Sequence, residues 1–178
     1  MIIVSNHLLK KTDINFLENN TVIRINVAWV KNKAELIELL NQIQNDIYLD
    51  YPQGRNKPPR PTLQLDEVME LIPNYDHIKH FAISNVEDPG KIFEIQNRLP
   101  SKVNLVPKIE TQIGVENLEE IIDKIEAKYI MLDKEDLYID VDTDQEVFEN
   151  LIELARKTCK EKMVKILELQ GVVFAPHE

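Results

Sequence analysis

The sequence predicts an α/β protein built on a mostly parallel sheet, and three observations lead there. Short apolar runs alternate with amphipathic helical stretches along the chain, the rhythm of βα units. The clearest unit, residues 106–137, is a strand, a short helix and a second strand, and strands joined this way are parallel neighbours. No internal repeat or low-complexity segment interrupts the alternation.

At 178 residues and 43% hydrophobic, the chain has material for one core, so a single domain over 1–178 is expected. It falls short of the roughly 200 to 250 residues that a closed eight-stranded βα barrel needs. The net charge of −10 and a pI near 4.9, with no basic stripe, argue against nucleic acid. That acidity leaves room for an anionic substrate in a locally positive pocket. A single cysteine, Cys159, permits no intrachain disulfide and fits a reducing cytoplasm. No apolar run reaches membrane-spanning length, so no membrane partner is expected.

In order, residues 2–4 form a short buried strand, and 8–17 a brief connector with Asp13 as its N-cap. Residues 22–29 are β-rich and alternate, placing Arg24, Asn26 and Ala28 on one face. An arginine and an amide cannot both be buried there without partners. If that face lines a barrel mouth it is a ligand-binding feature; if it meets solvent it is a plain edge strand. Residues 33–44 carry Leu36, Ile37, Leu39, Leu40 and Ile43 at helical spacing, and 46–50 form a strand ending in Asp50. The loop 51–61 holds four prolines and three basic residues. It either closes over an anionic ligand or is solvated surface. A helix over 66–72, a strand over 78–84, a turn and a helix over 91–98 follow. His77 and His80 straddle a strand start and read as surface or structural residues. After the central unit come a long helix over 144–162, with Val147, Phe148, Leu151, Leu154 and Ala155 on one face, a strand over 164–169 and an apolar tail.

The central unit carries the chemistry. Residues 106–110 and 129–132 are apolar strands that run into charged residues, with a helix over 115–125 between them. Parallel pairing would bring Glu110 and Asp136 to one rim of the sheet, close to the amine of Lys108. Two carboxylates there suit a hard divalent cation that keeps waters and takes substrate oxygens. The lysine adds positive charge for an anionic substrate or a developing enolate. The alternative is an ordinary rim, where charged residues end strands because they meet water.

Taken together, these stretches resemble the catalytic barrel of pyruvate kinase, within the phosphoenolpyruvate- and pyruvate-binding TIM-barrel group. Arg24-Ile25-Asn26 is similar to that family's Arg-x-Asn strand, and Leu49-Asp50 with Gly54 to its Leu-Asp-Thr-Lys-Gly-Pro segment. Phe81 to Asp88 is similar to its Ser-Phe-Val-Arg strand and turn. Lys108 to Asn117 is close to Lys-Ile-Glu-Asn-x-x-Gly-Val-x-Asn, and Ile130 to Leu137 follows like Ile-Met-Val-Ala-Arg-Gly-Asp-Leu. The Glu110-Thr111 pair is nearer to the citrate-lyase-like and 2-keto-acid aldolase relatives.

The resemblance implies an incomplete TIM-type barrel of about seven strands without a lid domain. It implies Glu110 and Asp136 as ligands of Mg²⁺ or Mn²⁺, Lys108 as the group that stabilises an enolate or transferring phosphoryl group, and Arg24 as a catalytic holder of a phosphate or carboxylate. Asn26 and Asp50 fall at the kinase's monovalent-cation site, and Lys134 joins Arg24, Asn26 and Asp50 in contacting substrate. Ala28 and Tyr51 replace two of that site's hydroxyl residues. Glu135 and Tyr138 replace glycines flanking the closing aspartate, adding bulk and, at Glu135, repulsion toward an anion. Only 4 glycines remain for phosphate cradles. An open seven-strand sheet leaves an edge for a second copy or a partner subunit to cover, with Phe174-Ala175-Pro176 as a contact.

Three functions are therefore expected to compete. One is a metal-dependent enzyme acting on a small pyruvate-like anion, as lyase, aldolase or phosphotransferase. Another is a non-catalytic barrel used for binding or assembly. The third is one component of a larger complex, its site finished by another subunit.

Overall fold

The computed structural model describes residues 2–5, 21–54 and 58–167. The expected 8–17 connector with Asp13 and the tail with Phe174-Ala175-Pro176 lie outside the described residues. Strands follow one another across the sheet in chain order, β1 to β7, and every pair with a defined register is parallel. This is the α/β fold of an incomplete TIM-type barrel. The chain divides into two compact units, Met1–Phe81 with Gln170–Glu178, and Ala82–Leu169.

The first unit holds β1 (Ile2–Ser5), β2 (Thr21–Asn26), α1 (Lys33–Gln42), β3 (Ile47–Tyr51), α2 (Leu65–Met69) and most of β4 (Ile78–Ile83). The strand expected over 22–29 stops at Asn26. Its side-chain oxygen accepts from the Ala28 amide at 3.0 Å, and Val27–Trp29 winds into a 3-10 turn. Asparagine side chains compete with the ladder for backbone donors in this way, so Ala28 leaves the strand face. Asn32 caps α1, and Leu36 and Leu40 are wholly buried. The helix expected over 66–72 divides into α2 and a 3-10 turn, Ile72–Asn74. Pro73 has no amide with which to continue an α-helical ladder.

The second unit runs through α3 (Pro89–Gln96), β5 (Asn104–Ile109), α4 (Gln112–Glu116), α5 (Leu118–Ile125), β6 (Tyr129–Leu132), α6 (Lys134–Asp140), α7 (Gln145–Glu161) and β7 (Lys165–Leu167). The single helix expected over 115–125 is two. Thr111 starts α4 early, its hydroxyl accepting from the Gly114 amide at 3.1 Å. Asn117 divides α4 from α5 and donates its side-chain N–H to the Glu87 carbonyl at 2.8 Å. In α5, Leu118, Ile121, Ile122 and Ile125 are buried at i, i+3, i+4 and i+7, one apolar stripe. In α7 the buried set is Leu151, Ile152, Ala155 and Cys159, whereas Leu154 is 43% exposed and does not belong to the core face.

Candidate metal centre

Local chain chemistry brings three carboxylates together in the second unit. Strands β5 and β6 pair with Lys108 opposite Met131 and Ile109 opposite Leu132. One further bond, from the Asp133 amide to the Ile109 carbonyl at 3.1 Å, extends the pairing past the strand ends. Glu110 and Asp133 are the residues that leave the sheet there. Asp133 caps α6, its Oδ1 accepting from the Asp136 amide at 3.3 Å. Asp136 thus belongs to the first turn of α6, not to the end of the strand as its sequence position implied. One carboxylate oxygen each from Glu110, Asp133 and Asp136 lie within 4.8 Å of one another.

Glu110 is the deepest of the three, only 4% exposed, and it is fixed at both oxygens. Lys108 Nζ lies 2.8 Å from Oε1, and the Asn85 amide donates to Oε2 at 2.8 Å. Lys108, itself 6% exposed, also donates to the Ser84 hydroxyl at 2.9 Å. Burial pushes the Glu110 carboxyl above its ordinary range, because an ion loses hydration there. The Lys108 ammonium and the Asn85 amide pull it back, and the nearby Asp133 charge pushes it up again.

The turn that presents Ser84 and Asn85 is tightly fixed. The Val86 amide donates to the Lys108 carbonyl at 3.2 Å, and Asn117 holds the Glu87 carbonyl. A Cβ at position 114 would stand 2.7 Å from the Val86 carbonyl oxygen, so only glycine lets α4 start this close to the turn.

The donor set fits a hard divalent cation: three carboxylates, with no thiolate or imidazole among them. Such an ion would also offset the repulsion between Glu110 and the neighbouring Asp133 charge.

The residues singled out in the sequence divide between the two units. In the second, Lys108 pairs with Glu110, and Glu110 lies in the cluster with Asp136. Lys134 is the half-buried first residue of α6, and Glu135 beside it is exposed. In the first unit, Asn26 stands opposite Asp50 across β2 and β3. Asp50 is fully buried, and its Oδ2 takes both Nε and an NH2 donor of Arg24, at 2.9 and 2.5 Å. A third guanidinium contact reaches the Ser5 hydroxyl at 3.3 Å. The Asn26 oxygen is used by the Ala28 amide. Beyond β3, Tyr51, Gly54, Arg60 and Asp66 are among the walls of a cleft of about 470 Å³.

Sequence reasoning missed Asp133, Ser84 and Asn85. A signal for Asp133 was present: an aspartate directly after an apolar strand and before Lys134-Glu135-Asp136 is a helix N-cap pattern. Asn85 acts through its backbone amide, held by a left-handed φ of 54°, which no side-chain pattern reveals.

No family profile and no curated sequence matches the chain. Solved structures do match in fold. An HpcH/HpaI aldolase/citrate lyase family protein from Burkholderia cenocepacia J2315 superposes with a TM-score of 0.70 at 11% identity, covering 94% of this chain and 79% of that one. Macrophomate synthase gives 0.68 at 15% identity, covering 93% and 70%. RipC from Yersinia pestis gives 0.63 at 11%, covering 97% and 76%. At these identities the likeness is one of fold.

Proposed function

We infer that the chain binds a divalent cation, Mg²⁺ or Mn²⁺, through Glu110, Asp133 and Asp136, and acts on a small pyruvate-like 2-oxo acid by enolate chemistry of the lyase or aldolase kind. The observation that carries this reading is the meeting of three carboxylates beside a buried, doubly anchored lysine. The sequence resemblance and the aldolase/citrate-lyase name of a fold neighbour support it.

When bound, the cation would polarise the 2-oxo group as a Lewis acid and orient the carboxylate. Lys108 would hold a positive charge against the oxygen that turns negative as the enolate forms. Its ammonium is preorganised by Glu110 Oε1 and Ser84 Oγ, so little reorganisation is needed as charge develops. The Asn85 amide and Lys108 together keep Glu110 aimed at one point.

A second reading, a non-catalytic barrel that binds ligand without turnover, is favoured by one observation. Arg24, the expected anion holder, already spends two donors on Asp50.

Solvent exchange at the pyruvate methyl group separates the two. In D2O with Mn²⁺ removed after incubation, proton NMR should show loss of the methyl signal only when chain and metal were both present. Lys108→Met should slow exchange about 100-fold, the usual cost of removing one oxyanion-stabilising donor. Metal binding without any exchange supports the non-catalytic barrel.

A further inference from the structure

We propose that Asn117 is a positioning residue of this centre: from the junction of α4 and α5 it holds the turn after β4, and through that turn it fixes where the Glu110 carboxylate points. The chain of hydrogen bonds is seen directly in the fold; its effect on a cation rests on the metal-binding reading above.

Asn117 precedes α5, where an asparagine side chain ordinarily accepts from a backbone amide of the first turn, yet it makes no such bond. Half-buried, it reaches away from its own helix and donates to the Glu87 carbonyl, 30 residues earlier in the chain, at 2.8 Å. A tertiary contact has displaced the local one.

The turn it holds, residues 84–87, supplies a partner to each member of the buried ion pair. The Ser84 hydroxyl accepts from Lys108 Nζ at 2.9 Å, and the Asn85 amide donates to Glu110 Oε2 at 2.8 Å. Asn85 aims its amide there with a left-handed φ of 54°, a conformation that a non-glycine residue keeps where its surroundings hold it. On one side the Val86 amide bonds to the Lys108 carbonyl at 3.2 Å, and Gly114 leaves room for the Val86 carbonyl. On the other, Asn117 holds Glu87. Without that contact the turn is free to relax at its Glu87 end, and the Asn85 amide moves off Oε2. Glu110 can then rotate about its own torsions, so a ligand oxygen is no longer placed in advance.

The experiment compares the full chain with Asn117→Ala by two measurements. In the metal-free protein, the Asn85 amide proton should shift upfield in the NMR spectrum as its bond to the carboxylate is lost. By calorimetry, Mn²⁺ affinity should fall about tenfold, as for other partners that orient metal ligands. Ile125→Val, at the far end of α5, controls for lost stability and should leave both readouts as in the parent. Asn117→Gln keeps the donor on a longer arm; where it restores the Asn85 resonance, it should restore Mn²⁺ affinity with it. An Mn²⁺ affinity within about twofold of the parent in Asn117→Ala would overturn the proposal while leaving the metal-binding reading intact. So would weakened binding with an unmoved Asn85 resonance, or an equal loss in Ile125→Val. If the parent takes up no Mn²⁺, the positioning role falls together with the reading beneath it.

Discussion

Removing a carboxylate and an ammonium from water costs several kcal/mol per ion, and the Glu110–Lys108 pair offsets that cost with contacts from Ser84 Oγ and the Asn85 amide. The offset for Glu110 is incomplete, since its carboxyl still sits above the ordinary range. An acid whose folded pKa lies above its unfolded value binds more protons in the native state over the interval between them. Its contribution to stability is therefore present at low pH and lost as pH rises through the raised value. A bound cation would replace the missing proton. Mg²⁺ should accordingly raise the thermal midpoint more at neutral pH than under acidic conditions, where protons compete for the same oxygens. An equal shift at both pH values, followed by circular dichroism, would show that Glu110 is not the residue titrated. Cys159 has no such role: burial alone pushes its thiol up to about 11, which marks it as packed core. At this scale the meeting of Lys108, Glu110 and Asp136 was legible, because charged residues following apolar strands stand out. Asp133 was overlooked although its N-cap pattern was there, because that pattern marks a helix start and does not show that Glu110 comes in from the neighbouring strand.

Elements are set by periodicity where one face is buried and by single contacts where it is not. The stripe of α5 is written in the sequence. The break at Asn117 is not, because the apolar spacing runs on through it and a tertiary contact to the Glu87 carbonyl decides it. The same holds for the 3-10 turn after β2, decided by one asparagine oxygen. The end of α5 offers a direct test. Glu126 adopts a left-handed conformation, φ 48°, while its amide closes the helix on the Ile122 carbonyl. Glycine takes that conformation without the steric cost, so exposed Glu126→Gly should stabilise the fold by about 0.5–1 kcal/mol in urea titration. A loss of stability would mean that the Glu126 side chain contributes more than its backbone costs.

At the scale of the molecule, the alternation of strands and helices was enough to read an α/β protein on a parallel sheet, the resemblance supplied the incomplete TIM-type barrel, and the strand order agrees with both. The reason is physical: short βα connections leave sequential strands few places to go except side by side. A fold does not fix chemistry, and barrels of one architecture host many reactions. The proposed function therefore rests on the second unit's carboxylates, and above all on Glu110. Calorimetric titration of Mg²⁺ or Mn²⁺ into the full chain and into Glu110→Gln addresses it most directly. One ion per chain at millimolar affinity or tighter, abolished in a variant that stays folded, is the expected result. A parent chain that takes up no ion, or a variant that binds as tightly as the parent, would contradict it.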